Sequence, residues 1–216
     1  MVNAVMLGAG NRGSDVYGKI ALEGAGLRFV AVADTNPAKL ERFGAAHGIP
    51  MSAQFLDWRD AVRFAQDQRL EAAFVCLPDA LHEDAAVLCL EADLHLMLEK
   101  PAANTLIGTR RVLRAMDASS RVVILGYVLR FTPFFQTLQR VIESGALGQV
   151  VTIDWRENVS SMHYAHSYVR GNWRNTLQSS PMILAKCSHD LDLLGWLTGL
   201  PVTRASSFGS LRHSQM

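Results

Sequence analysis

Apolar residues along this chain follow two rhythms, and the change from one to the other divides it. Val2 to Leu7 is a nearly continuous apolar run, the pattern of a parallel strand covered on both faces. Leu27 to Ala33 repeats it and ends at Asp34, and Ala72 to Leu77, Leu94 to Leu98 and Val122 to Leu125 predict further buried strands. Ser52 to Phe55 adds a short one. Between these runs apolar residues recur at helical spacing: Val16, Ile20 and Ala21, then Leu81, Ala85 and Leu88, then Leu106, Leu113 and Met116. Asn36-Pro37 opens another helix, because proline's fixed φ and missing N–H suit a first turn. Strands alternating with helices predict an α/β domain with a doubly wound parallel sheet of the Rossmann class, over residues 1–125.

Beyond about residue 126 the rhythm changes. Pro133 to Glu143 carries Phe135, Leu138, Val141 and Ile142 on one helical face, and Gly145 stops it. Val150 to Arg156 alternates apolar and polar residues, as a strand buried on one face does. Met162 to Pro181 is a polar and aromatic stretch without period, expected to be a long functional loop. Ser188 is placed to cap a helix through Leu197, closed by Gly199 and Pro201, and Val202 to Phe208 predicts a last strand before a ragged end, Leu211 to Met216. Residues 126–216 therefore read as a partial α+β substrate-binding and dimerisation domain with a mostly antiparallel sheet. Two strands and two helices are too few to close such a domain, so an exposed edge would need a partner chain or further sequence.

The first motif with chemistry is Gly8-Ala9-Gly10-Asn11-Arg12-Gly13, which follows a strand and opens a helix. Gly8 permits the tight turn, Gly10 lets backbone approach a pyrophosphate, and Gly13 allows helix to pack on strand. The N–H groups at the helix start favour phosphate. Asp34 lies 21 positions after Gly13 at the end of the second strand, where a carboxylate can bind ribose hydroxyls. It would repel a 2′-phosphate, so the expected cofactor is NAD, with NADP left open.

Composition narrows the partners. With 21 Lys and Arg against 20 Asp and Glu, and no basic stripe, nucleic acid is not expected. No apolar stretch reaches membrane-spanning length, and the opening strand leaves no room for a secretory signal. Three cysteines, Cys76, Cys89 and Cys187, have no metal-like spacing and suit free thiols in a reducing cytoplasm.

Two further segments lie at the ends of predicted strands. In Leu77-Pro78-Asp79-Ala80-Leu81-His82, Pro78 and His82 either face the nicotinamide half of a dinucleotide or simply begin a helix, with Asp79 offsetting its dipole. Glu99-Lys100-Pro101 would set a lysine beside the site of hydride transfer, where it could relay a hydroxyl proton, or would be a plain surface pair. The stretch from His163 to Arg174, including His166, Arg170 and Trp173, mixes aromatic and hydrogen-bonding groups as a polyol site does, or packs as an ordered loop. No metal is expected: His163, His166 and His189 lack a carboxylate or cysteine companion at ligand spacing.

Taken in order, these motifs resemble the Gfo/Idh/MocA family of NAD(P)-dependent oxidoreductases, the glucose-fructose oxidoreductase and inositol dehydrogenase type. The resemblance also uses Arg130 with Pro133, Ser144-Gly145-Ala146-Leu147-Gly148, and Ser188-His189-Asp190-Leu191-Asp192. It implies that Lys100 is the lysine of the catalytic site and that His189 is the acid/base on the substrate hydroxyl. It implies cofactor contacts from Gly8, Gly10, Asn11, Arg12, Gly13, Asp34, Pro78, His82, Glu99 and Lys100. Substrate contacts are expected from Arg130, His166, Arg170, Trp173, Lys186 and Asp192, although Asp192 in a first helical turn also suits a structural role. Inositol dehydrogenase-like members carry an aspartate four residues before the histidine, where this chain has Ala185 followed by Lys186. The expected activity is hydride transfer between nicotinamide and a hydroxyl-bearing carbon of a sugar, cyclitol or related polyol, in a homo-oligomer such as a dimer or tetramer. The other functions consistent with the sequence are an NAD-dependent glycosidase of redox mechanism and a truncated, non-catalytic dinucleotide-binding protein.

Overall fold

The structure, a computed structural model, describes residues 1–175 and 179–210. The loop expected over 162–181 therefore lies partly, and the end at 211–216 wholly, outside the described residues. Six strands form one parallel sheet in the order β3-β2-β1-β4-β5-β6: β1 Val2–Leu7, β2 Leu27–Ala33, β3 Gln54–Phe55, β4 Ala72–Val75, β5 His95–Leu98 and β6 Val123–Leu125. Every pairing is parallel, with Leu7 beside Ala33 on one flank and beside Val75 on the other. The sequence order reverses between β1 and β4, so a topological switch point opens beyond the carboxyl ends of these two strands.

Helices cover the sheet: α1 Lys19–Leu22, α2 Pro37–His47, α3 Trp58–Asp67, α4 His82–Glu91 and α5 Leu106–Ala118. Their ends follow local chemistry. Asn36, Asp57 and Thr105 each accept a backbone N–H of the first turn, and Pro37 occupies the position the sequence predicted. Central strands are sealed, with Ala4 to Leu7 at 0% exposure, which is why their sequence runs apolar rather than alternating.

The chain divides into two compact units, one of Met1–Tyr127 with Asn158–Ser188, the other of Val128–Glu157 with His189–Met216. Segment 158–188 thus clusters with the sheet rather than with the rest of the region after residue 126. It is not one irregular loop: α7 Ser161–Tyr164 leads through helical turns at Ala165–Val169 and Asn172–Arg174 to α8 Met182–Ala185.

The second unit contains a short turn at Val128–Phe131, α6 Pro133–Glu143 and most of α9 Ser188–Thr198. Two expectations are corrected here. Val150 to Arg156 and Val202 to Phe208 join no sheet, and no strand follows β6 among the described residues. An extended segment becomes a strand only against a hydrogen-bonding neighbour, and among the described residues neither segment has one. Ser188 does not cap α9 from outside; it is the helix's first residue, with its buried hydroxyl unpartnered among the described residues.

Candidate functional site

The glycine turn meets the switch point through close backbone approach. Gly8 has φ +97°, and a Cβ there would stand 2.4 Å from the Cys76 carbonyl oxygen just beyond β4. A Cβ on Gly13 would stand 2.1 Å from the Gly8 carbonyl oxygen, so the turn and the helix after it interlock. Gly10 differs: a Cβ there would meet no protein atom within 4 Å, leaving its backbone open to a ligand. The helix starts with wide turns over Asn11–Gly18 before tightening into α1, and Asn11 is exposed.

Asp34 closes the loop from the β2 side. Its Oδ2 accepts the Ala9 N–H at 2.9 Å and its Oδ1 accepts the Asn36 N–H at 2.9 Å. Each carboxylate oxygen keeps a second lone pair for a ribose hydroxyl. Lys39 Nζ lies 4.0 Å from Oδ2, a cation at the same spot. Gly8, Gly10, Gly13 and Asp34 thus fit a dinucleotide: an open backbone cradle, with a carboxylate at its ribose end.

On the other side of the switch point stands Lys100. Its ammonium donates to the Ala185 carbonyl at 2.6 Å, and its peptide bond to Pro101 is cis. Burial pushes the Lys100 pKa down from the ordinary lysine value; Asp79 and Glu99 oppose the shift, while Arg12 and Lys186 add to it. Asp79 is 7% exposed and accepts the Trp173 indole N–H at 2.9 Å. Tyr168 neighbours Trp173, with ring centroids 6.4 Å apart. Its phenol is pushed upward by burial first and then by Asp79 and Cys187. Lys100, Asp79, Tyr168, Trp173 and Lys186 are therefore gathered in the first unit, while His166 and Arg170 are exposed on the same segment and Pro78 is exposed beyond β4.

Two residues expected to touch cofactor make contacts within the protein. Glu99 is buried; it accepts the Tyr17 hydroxyl at 2.7 Å and pairs with Arg12 at 3.2 Å, tying the glycine helix to the end of β5. His82 is 1% exposed, with Nδ1 2.7 Å from the Pro101 carbonyl and Nε2 2.8 Å from the Leu77 carbonyl. Both ring nitrogens lie against protein carbonyls, and the ring is sealed from solvent.

In the second unit Arg130 and Asp192, both expected at the substrate, are bonded to each other fork to fork. The pair joins the Val128–Phe131 turn to α9, and the Arg130 guanidinium also lies 5.8 Å from the Trp196 ring centroid. The Trp155 indole N–H donates to Asp190 at 2.8 Å. His189 occupies the first turn of α9. No group of three or more His, Cys, Asp or Glu among the described residues could hold a metal ion, and no helix among them is long and apolar enough to cross a membrane.

The oxidoreductase family with an NAD-binding Rossmann fold matches residues 2–127, and the GFO/IDH/MocA C-terminal domain matches residues 135–215. The chain belongs to the Gfo/Idh/MocA family. Among its relatives, inositol 2-dehydrogenase 2 of Saccharopolyspora erythraea is 26% identical over 208 residues, covering 95% of this chain and 56% of that protein. Inositol 2-dehydrogenase of Rhizobium meliloti is 30% identical over 154 residues, covering 70% of this chain and 44% of that protein. The fold matches scyllo-inositol dehydrogenase from Lactobacillus casei, a structure with bound NAD(H) and scyllo-inositol, at TM-score 0.77 and 21% identity, over 92% of this chain and 56% of that one. This Gfo/Idh/MocA chain spans about half the length of the curated relatives it matches.

Four participants escape sequence reasoning in this family member: Tyr17, Lys39, Asp79 as the partner of Trp173, and the Ala185 carbonyl. Tyr17 lies 82 positions from Glu99 and Trp173 lies 94 from Asp79, so no local spacing could announce either pair. Lys39 had a signal, standing one turn into the helix that follows Asp34.

Proposed function

We propose that this chain is an NAD-dependent oxidoreductase acting on a hydroxyl-bearing carbon of a cyclitol, sugar or related polyol. The observation that carries this reading is Lys100, a partly buried amine across the switch point from an open glycine cradle. The backbone at Gly8, Gly10 and Gly13, with Asn11, Arg12, Asp34 and Pro78, would hold the dinucleotide, and Glu99 would act by holding Arg12. Bound nicotinamide supplies the hydride acceptor. Lys100 holds the substrate hydroxyl and takes its proton at Nζ, for which desolvation prepares it by disfavouring the charged amine. His189 is the companion acid/base, its imidazole suited to exchanging a proton near neutrality. His166, Arg170, Trp173 and Lys186 read the remaining hydroxyls, while Arg130 and Asp192 support α9.

The Asp34 carboxylate favours NAD over NADP, since a 2′-phosphate would face a like charge. The same reading puts the protein in a reducing cytoplasm, with three free cysteines, as a homo-oligomer. Its cofactor function lies in residues 1–125 and its substrate function draws on residues from 126–216, including segment 158–188 that clusters with the sheet. Incubating the chain with NAD and a panel of myo-inositol, scyllo-inositol and aldoses, and following NADH absorbance, tests the activity. NADH should form with at least one polyol and be lost in Lys100→Met; a panel silent throughout would refute the reading.

A further inference from the structure

The ladder between β4 and β5 ends where the Glu99 N–H donates to the Val75 carbonyl at 3.0 Å. Past that bond the two chains diverge, one through Cys76-Leu77-Pro78, the other through Lys100-Pro101. Their carbonyls would face the interior without partners, and an unpaired buried carbonyl is costly. His82 fills the gap from the first turn of α4, its ring reaching the Pro101 carbonyl through Nδ1 and the Leu77 carbonyl through Nε2. Both partners are carbonyl acceptors, so an arm is a hydrogen bond only where its nitrogen carries the proton, and the rigid, buried ring stands between the two loops. Pro101 is buried and directly bonded to Lys100, so a brace on its carbonyl constrains the lysine's backbone.

We propose that His82 is a positioning residue: by spanning the Leu77 and Pro101 carbonyls it fixes the separation of the β4 and β5 end loops and so the placement of Lys100. This rests on reading Lys100 as the group that handles the substrate proton. The two arms of the brace are separable by substitution. An asparagine amide overlays the Nδ1 position and keeps the Pro101 arm, whereas a glutamine amide overlays the Nε2 position and keeps the Leu77 arm. The Pro101 arm is the one that governs Lys100.

The test is acetylation of the intact chain across a pH series, with Lys100 labelling read by peptide mass spectrometry and exposed Lys19 as internal reference. In His82→Gln, water reaches Lys100 as its loop slackens, and its labelling midpoint rises toward that of an ordinary lysine. In His82→Asn the midpoint stays near wild type. With an active substrate, His82→Gln lowers kcat on the order of a hundredfold with little change in KM, and His82→Asn lowers it far less. Thermal melts of both variants accompany the labelling. Equal loss of melting temperature in the two variants with an unmoved Lys100 profile would make His82 a structural brace only and overturn the proposal. If the wild-type chain oxidises no polyol, the functional reading fails, while the labelling still decides whether His82 positions Lys100.

Discussion

The indole Nε1 of Trp173 donates to Oδ2 of Asp79 at 2.9 Å, joining the end of β4 to a residue 94 positions later. A buried carboxylate that loses a donor pays its desolvation without compensation. Trp173→Phe keeps an aromatic ring, though a smaller one, and removes the bond, so it should cost at least about 1–3 kcal/mol of unfolding free energy. Urea denaturation measures this; a loss within error would mean that segment 158–188 is held without that bond.

The glycine turn separates structure from binding. Gly8→Ala forces a side chain into φ +97° and onto the Cys76 carbonyl, and should cost at least about 2 kcal/mol of stability or abolish folding. Gly10→Asp meets open space, so the melting temperature should hold while calorimetry shows NAD affinity falling. Undiminished NAD binding by Gly10→Asp would remove the cradle from the cofactor site.

Asp34 and Lys39 together set the cofactor preference. Asp34→Asn removes the charge that repels a 2′-phosphate and leaves Lys39, 4.0 Å away, available to pair with it. The ratio of NADP to NAD affinity should rise about tenfold, equivalent to about 1.4 kcal/mol. Fluorescence titration with both dinucleotides checks this, and an unchanged ratio would count against the ribose role.

Lys100 and His47 act with the same sign in different parts of the pH range. Burial lowers the Lys100 pKa, so in the window between its folded value and the ordinary lysine value the unfolded chain binds the extra proton. Stability from this group therefore rises with pH through that window, and Lys100→Met should flatten the rise. His47 stacks on Phe43 with centroids 4.2 Å apart, and burial lowers its pKa from the ordinary 6.5. As pH falls below that value the unfolded chain takes up the proton first, so stability falls, and His47→Leu should remove this acid limb. Melting temperature against pH for the wild type and both variants reads each sign.

Arg130 and Asp192 are expected to behave as a structural pair. Asp192 is nearly buried and Arg130 part-exposed, so Asp192→Asn should cost roughly 1–3 kcal/mol, between surface and buried limits. The double variant Arg130→Met with Asp192→Leu should recover part of that loss. A large rise in KM with no loss of stability would return Asp192 to the substrate.

The sheet was legible because its central strands are largely sealed: Ala4 to Leu7 and Ala72 to Val75 are apolar throughout, and the glycines follow the first of them. The strands expected at Val150–Arg156 and Val202–Phe208 failed for the converse reason, since alternation marks a segment that could pair but not whether a neighbour exists. His82 and Asp192 show the same limit at the site. Residue type marked both as chemical groups, yet only folding showed which protein atoms they meet.

The sequence by itself determined the parallel sheet, the glycine cradle, Asp34 at the end of β2 and Lys100 at the end of β5, because each is a local consequence of strand periodicity and turn chemistry. Tertiary structure alone decided that Glu99 holds Tyr17 and Arg12, that His82 spans two loops, and that Trp173 meets Asp79. Apart from the His82 arm to Leu77, those contacts join residues 19 to 94 positions apart, and a hydrogen bond depends on where the fold brings donor and acceptor, which no neighbouring residue records.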